Sequence, residues 1–408
     1  MPSIVRPPVL ALGLVVIAVF SIPAQQRPQP PVFASGTEVV FVDFVVSDKT
    51  DRPVRGLSAK DFVVKEDGKE RPIVSFEAFA GDERAAPPPS DTKAAPPSPP
   101  VRSLGAAAVL LVDDGQLTPT QAARLRPDLK VLLAKMGEHS GSMALVAPSS
   151  KVSVAGRLPG AAASVAAAVD SITGRRFEDH STFPVSDAEA IAAARGDPQM
   201  LARLISRFMA LNPSLSRDQA EALAHSRAIE VAYDARMRRE LVYGVALLSL
   251  DWLAGQPGRH SLVIVSGGFA RDPEDVRFNE IVTRSLRVNA PIHFLDVRGL
   301  QGMGRFQDVA FGPGLSRDAD ETPFAWSDAA EGSSGLADDT GGMTIRNTND
   351  MGKGLGRLLD TMQTYYILGY EPPVHAKPGF HKIRVEVRTK SLIVRARRGY
   401  FDGAQAGR

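Results

Sequence analysis

The sequence predicts an α/β protein: a doubly wound, mostly parallel sheet, with a β-sandwich-like module from its N- and C-terminal strands and a helical insertion. Three observations carry this. Ala106–Val112 is a continuous apolar run that ends abruptly in Asp113-Asp114-Gly115, the pattern of a strand buried on both faces. Two more such runs, Leu262–Val265 and Pro291–Asp296, follow helical segments at Arg239–Leu253 and Glu274–Arg287. Short β-branched and aromatic stretches occupy both ends of the chain, and neither end has enough strands to be stable alone.

Composition sets the outer bounds. A chain of 408 residues calls for two or three domains, and 44% hydrophobic with 23% charged residues reads as globular. A formal net charge of +2 gives no field suited to nucleic acid. The absence of cysteine excludes disulfides, thiolate metal sites and cysteine nucleophiles together. At the N-terminus Arg6 precedes an apolar run, Val9–Phe20, of signal-peptide length, with small residues for cleavage after Ala24. Residues 1–24 are expected to be a signal peptide, cleaved or kept as an anchor, and the folded part to be exported to the periplasm or the exterior. No further membrane span is expected.

The elements follow in order. Residues 37–80 form an N-terminal β module. Thr37–Ser47 is a strand, Ser58 is placed to cap a short turn, and Phe62–Glu66 runs into the hairpin signal Asp67-Gly68 before the returning strand Ile73–Phe79. Residues 81–103 are proline-rich and read as a linker. Residues 104–362 carry the α/β pattern. It comprises the strand Ala107–Val112, a helix through Leu125, Leu129, Leu132, Leu133 and Met136, short strands at Met143–Ala147 and Val152–Val154, and an alanine-rich helix at Ala161–Ile172. Within it, 176–236 reads as two or three inserted helices. Residues 201, 204, 205, 208 and 211 are apolar at amphipathic spacing, which suits core packing first and a partner-binding face second. Residues 302–339, rich in Gly, Asp and Ser, read as a long loop. Residues 363–402 return to β: Thr364–Tyr370, Phe380–Arg388 and Leu392–Ala396 are strands, expected to pack with the N-terminal module. On them one ring of Tyr365-Tyr366 is expected in the core and one outside, and Arg395, Arg397 and Arg398 read as a solvated face.

Chemistry is expected where open α/β sheets place ligands, at the carboxyl ends of the strands. Asp113 and Asp114 lie there, and so does Ser266 ahead of Gly267-Gly268. An acid pair beside a serine admits a metal-dependent or serine-hydrolase reading, but no Gly-x-Ser-x-Gly elbow is present. Nor do the 7 histidines show a His-x₃-His or His-Glu-x-x-His pair for zinc. His293, on a buried strand, reads as a core histidine with its hydrogen bonds satisfied. The segments GLQGMG (299–304) and GKGLG (352–356) lack the context of phosphate loops.

Taken in order, the segments VVFVDFVVSDKTDRPVRGLSAKDFVVKEDGK, AAAVLLVDD, LAGQPGRHSLVIVSGGF, APIHFLDVRGL, GGMTIRNTND and YYILGYEPP…GFHKIRVEVR…VRARRGYF resemble the VWFA-related proteins of acidobacteria. These are exported proteins built on a von Willebrand factor A-type domain. The likeness spans most of 37–401 except the linker and the two insertions. It implies a divalent ion, usually Mg²⁺, held at the strand ends by an Asp-x-Ser-x-Ser motif, a threonine from a later loop and an aspartate after the fourth strand. This chain keeps Asp113 but has Gly115 and Leu117 in place of the serines, and Ser266 in place of the later aspartate. Thr182 is the candidate loop ligand, and Asp114, Thr118 and Thr120 are candidate replacement oxygens. The metal-dependent adhesion site implied by the resemblance is therefore expected in degenerate form at Asp113, Asp114, Thr182 and Ser266.

The function expected from these readings is that of an exported, non-enzymatic interaction or adhesion protein, offering its strand-end surface to a protein partner. The alternatives are a hydrolase using Asp113, Asp114 and Ser266, and a structural envelope component with no discrete site.

Overall fold

The structure, a computed structural model, describes residues 39–80, 83–84, 106–138, 141–176, 181–270, 275–297, 332, 334–346, 350–373 and 379–401. The expected signal peptide, almost all of the linker, GLQGMG and most of 302–339 lie outside these residues.

The described residues open with β1 (Val40–Ser47), β2 (Phe62–Glu66), β3 (Lys69–Arg71), β4 (Ile73–Ala80) and the two-residue β5 (Glu83–Arg84). Between β1 and β2, Ser58 does not cap with its own oxygen. The Asp61 carboxylate instead accepts from both the backbone N–H and the hydroxyl of Ser58, at 2.7 and 2.9 Å.

The α/β body then runs β6 (Ala106–Val112), α1 (Pro119–Gly137), β7 (Gly141–Ala147), β8 (Val152–Leu158), α2 (Ala162–Ala168), α3 (Asp187–Ala194), α4 (Pro198–Leu211), α5 (Arg217–Ala254), β9 (Arg259–Ser266), α6 (Val276–Val288), β10 (Ile292–Asp296), the helical residues 334–340 (α7), β11 (Thr344–Ile345) and α8 (Met351–Gln363). Its six-stranded sheet has the order β11-β10-β9-β6-β7-β8 and is mostly parallel. The exception is β8, which pairs antiparallel with β7. Only residues 148–151 join the two, and a parallel pair needs a crossover of about a dozen residues or more.

Alternation along β6 explains its unbroken apolar run. Ala108, Leu110 and Val112 face one core with residues of α1 and α8, while Ala107, Val109 and Leu111 face another with α5 and α6. Both faces are buried, so neither set can be polar.

Two further findings depart from the sequence expectation. The insertion does not stop at 236, because α5 runs uninterrupted for 38 residues and its second half packs on the sheet. No proline or glycine falls between Arg217 and Tyr243 to break it. Residues 334–340, expected as loop, are helical and fully bury Leu336 and Ala337.

The first half of α5 joins α3 and α4 around a separate core of Ala220, Ala224, Ala228, Leu204 and Phe208. Each of these helices starts on a side-chain cap: Ser186 for α3, Asp197 for α4 and Ser216 for α5. Because α5 ends just before β9 begins, it runs back up the sheet. The stretch from Arg238 to Ala254 is about 24 Å long, close to the roughly 26 Å of an eight-residue strand. Residues 217–237 therefore extend past the carboxyl ends of the strands as a helical arm.

The chain closes with β12 (Thr364–Tyr370), β13 (Phe380–Val387), β14 (Ile393–Ala396) and β15 (Gly399–Phe401). These interleave with the N-terminal strands in two sheets, β14-β1-β12-β4-β5 and β15-β13-β2-β3. Val42, Phe44, Phe62, Val64, Tyr366, Leu368, Ile383 and Val385 form one buried cluster between them. Tyr366 is in that cluster; Tyr365 is outside it yet half-buried rather than exposed, stacked on Phe79 at 4.6 Å with the Arg259 guanidinium 4.1 Å from its ring centre.

Arg395 and Arg397 are also less solvated than expected, whereas Arg398 is exposed as expected. Arg395 donates to Ser47 and Asp51, Arg397 to the Phe41 carbonyl, and Arg398 pairs with Asp339. The edge of the α/β body covers this face, and burial pulls the Arg397 pKa below its ordinary value.

Candidate functional site

The site is built at the ends of β6 and β9, adjacent parallel strands whose registers place Val112 beside Val265. The Asp113 N–H donates to the Val265 carbonyl at 2.8 Å, so the sheet ladder itself carries Asp113 over the end of β9. There the Ser266 hydroxyl donates to Asp113 Oδ2 at 2.6 Å, and Ser266 Oγ accepts from the Gly268 N–H at 3.1 Å. Asp113 is 2% exposed and Ser266 is fully buried. Burial pushes the Asp113 carboxyl up to about 7, the neighbouring Asp114 charge adding to the rise. The Ser266 hydrogen bond and the charges of Arg238 and Arg176 act against it.

Asp114 turns the other way. Its Oδ1 accepts from the Ser149 N–H at 2.9 Å and its Oδ2 from the Ser150 N–H at 2.5 Å, which pins the β7–β8 turn to the end of β6. The Asp114 carbonyl accepts from Arg175 N–H at 2.7 Å. Asp114 is thus a buried clamp between three loops.

The remaining candidates do not join the pair. The Thr118 hydroxyl accepts from the Gln121 N–H and is committed to the α1 cap. Thr120 is exposed in the first turn of that helix, and Thr182 is exposed ahead of α3. Leu117 is fully buried in the core, and Gly115 has no side chain to offer. Sequence reasoning did not single out Gln116, which is 3% exposed in the same turn with its Oε1 unpartnered. The preference for ionisable and hydroxyl ligands passed over an amide.

An octahedral Mg²⁺ site needs several hard oxygens free to converge. Here both Asp114 oxygens are held by backbone N–H groups, Thr118 caps a helix, and Ser266 is bonded to Asp113. Among the described residues no group of three or more His, Asp or Glu side chains is placed to hold a metal. The donors present do not fit the ion.

His293 differs in part from expectation. Its Nδ1 accepts from the Met343 N–H at 3.1 Å, but the buried Nε2 has no partner. Burial, with the charges of Arg259 and Arg395, pulls its pKa down to about 3, so the ring is neutral with its proton on Nε2. It lies on β10, beside β9 rather than β6, and no hydrogen bond joins it to Ser266. The 352–356 glycine segment forms the first turns of α8.

Compared with known proteins, the chain matches no family model and no curated sequence.

Proposed function

We propose that this is an exported, non-enzymatic interaction protein. Its α/β body is a von Willebrand factor A-like domain, its interleaved terminal sheets are a β-sandwich that orients the domain, and its strand-end surface engages a protein partner without a metal. The reading rests on the resemblance of the ordered landmarks and on one structural observation. The arm of α3, α4 and α5 rises from the end of the molecule where the Asp113–Ser266 pair lies. Along α5, Ile229, Tyr233, Met237 and Leu241 follow one another at four-residue spacing and are all exposed, Tyr233 by 62%. Residues four apart share a helix face, and an exposed apolar row of this length marks an interaction surface.

The pairing of Asp113 with Ser266 supports the non-enzymatic reading. The Ser266 hydroxyl is spent on a carboxylate, and among the described residues no histidine hydrogen-bonds to it.

Two measurements test the proposal. Thermal unfolding with and without millimolar Mg²⁺ or Mn²⁺ should give the same midpoint. A rise that disappears in Asp113→Ala would replace the metal-free reading with a metal-dependent one. Cross-linking to envelope proteins of the host should recover a partner that Tyr233→Asp/Met237→Asp loses while remaining folded. Equal recovery by that variant and by one altered at Thr182 would sink the strand-end reading.

A further inference from the structure

At the free edge of the central sheet, three strands across from β6, lies a cavity of about 320 Å³ bounded by β11, α7, α8, β14 and the turn after β1. Three arginines line it, Arg346, Arg357 and Arg395, against two carboxylates, Asp51 and Asp338.

The five charges are not equivalent. Arg395 donates to Asp51 at 2.6 Å and to the Ser47 hydroxyl at 2.7 Å, so those two neutralise each other. Arg346 and Arg357 have no carboxylate partner among the described residues, and only Asp338 opposes them. Arg357 Nε and Thr344 Oγ1 are both shielded from water and without a hydrogen-bond partner. An N–H that has lost water and gained no acceptor is a cost that folded proteins rarely leave uncompensated. Arginine forks match the paired oxygens of a carboxylate or phosphate, and such charge-assisted bonds are the strong ones.

We infer that this cavity binds a small oxyanionic ligand of the phosphate or carboxylate class, gripped by Arg346 and Arg357 with the Thr344 hydroxyl as a further donor. The site is separate from the strand-end surface and does not depend on the reading given to it. Asp338 leaves the cavity one net positive charge.

Calorimetric titration of the full chain with inorganic phosphate and with citrate, each against chloride at equal ionic strength, tests the assignment. Saturable binding of either is expected, with affinity weakened about tenfold or more in Arg346→Gln and in Arg357→Gln. Binding of phosphate alone or citrate alone tells which oxyanion the site prefers. Arg357→Lys, which keeps the charge but not the fork, should bind more weakly than the wild type and guards against a folding defect in the glutamine variant. No saturable heat with either anion, or binding unchanged in both glutamine variants, overturns the proposal.

Discussion

The Ser266 hydroxyl donates to Asp113 Oδ2 at 2.6 Å, joining the ends of two neighbouring parallel strands through one buried hydrogen bond. The bond stands where the resemblance implies a metal ion, and burial of its carboxyl makes the strand end sensitive to pH. Asp113 ionises at about 7 in the fold against 3.8 as its ordinary value. Between those values the folded state holds a proton that the unfolded chain has released, so stability falls as pH rises through the window. The contribution is fully present below about pH 4 and lost above about pH 7, on the order of 4 kcal/mol in all. Urea unfolding of wild type and Asp113→Asn at about pH 5 and pH 8 should show the wild type losing more stability than the variant. Parallel losses would mean that the carboxyl titrates normally.

Leu117→Ser places a serine where the resemblance to A-type domains implies one. It should nevertheless destabilise the protein by about 3 kcal/mol or more, because the leucine is fully buried and the hydroxyl would enter an apolar core. It should create no Mg²⁺-dependent rise in unfolding temperature. Gly115→Ser should be far milder: its Cβ would meet the Ser149 hydroxyl at 3.1 Å, at the end of a movable side chain, and Asp113 Oδ1 at an ordinary 3.7 Å.

What could be read from the residues alone follows a physical boundary. Strands buried on both faces announce themselves as unbroken apolar runs, so β6, β9 and β10 and the carboxylate at the end of β6 were legible. Asp113 and Ser266 could be assigned to one strand-end site, but their direct hydrogen bond could not be read, since it depends on β6 and β9 being adjacent. The task of Asp114 was invisible because its partners are two backbone N–H groups in a turn whose position only tertiary structure sets. Residues 334–340 carry a single turn or two of apolar spacing inside a Gly- and Asp-rich stretch, too short to show a period. Arg395 and Arg397 alternate as solvated strand residues do, and the body that covers them is distant in sequence.

Asp114→Ala should loosen a loop rather than a surface. Two backbone N–H groups at Ser149 and Ser150 would lose their acceptor, a cost of about 2 kcal/mol or more. Hydrogen exchange should accelerate at residues 148–151 with little change in α5. Unchanged exchange there would show that water replaces the carboxylate without loss.

Deletion of 380–401 should unfold the N-terminal strands as well. β2 would lose β13, β1 would lose β14, and Ile383 and Val385 would leave the cluster that Phe44, Phe62 and Tyr366 share. Glu66 would also lose the Tyr400 hydroxyl, one of two phenols that donate to its buried carboxylate; Tyr370 is the other. Protection retained at residues 40–66 after the deletion would show that the two ends fold independently.

The arm offers the sharpest local test. Arg207 and Glu189 form a two-pronged ion pair at 2.9 and 3.0 Å, with side chains 6% and 9% exposed, and Arg207 also donates to the Pro184 carbonyl at 2.9 Å. Arg207→Ala leaves a carboxylate buried without its cation, which costs about 3–5 kcal/mol. Glu189 also accepts from the Ser186 N–H, so the α3 cap would weaken with it. Because the arm has its own core, the damage should stay there: faster hydrogen exchange over 185–235, with β6 and β9 still protected. Replacing both partners by apolar residues, Arg207→Met with Glu189→Leu, should recover much of the loss, since no unpaired charge remains. Exchange that spreads equally through the central sheet would show that arm and body unfold as one unit.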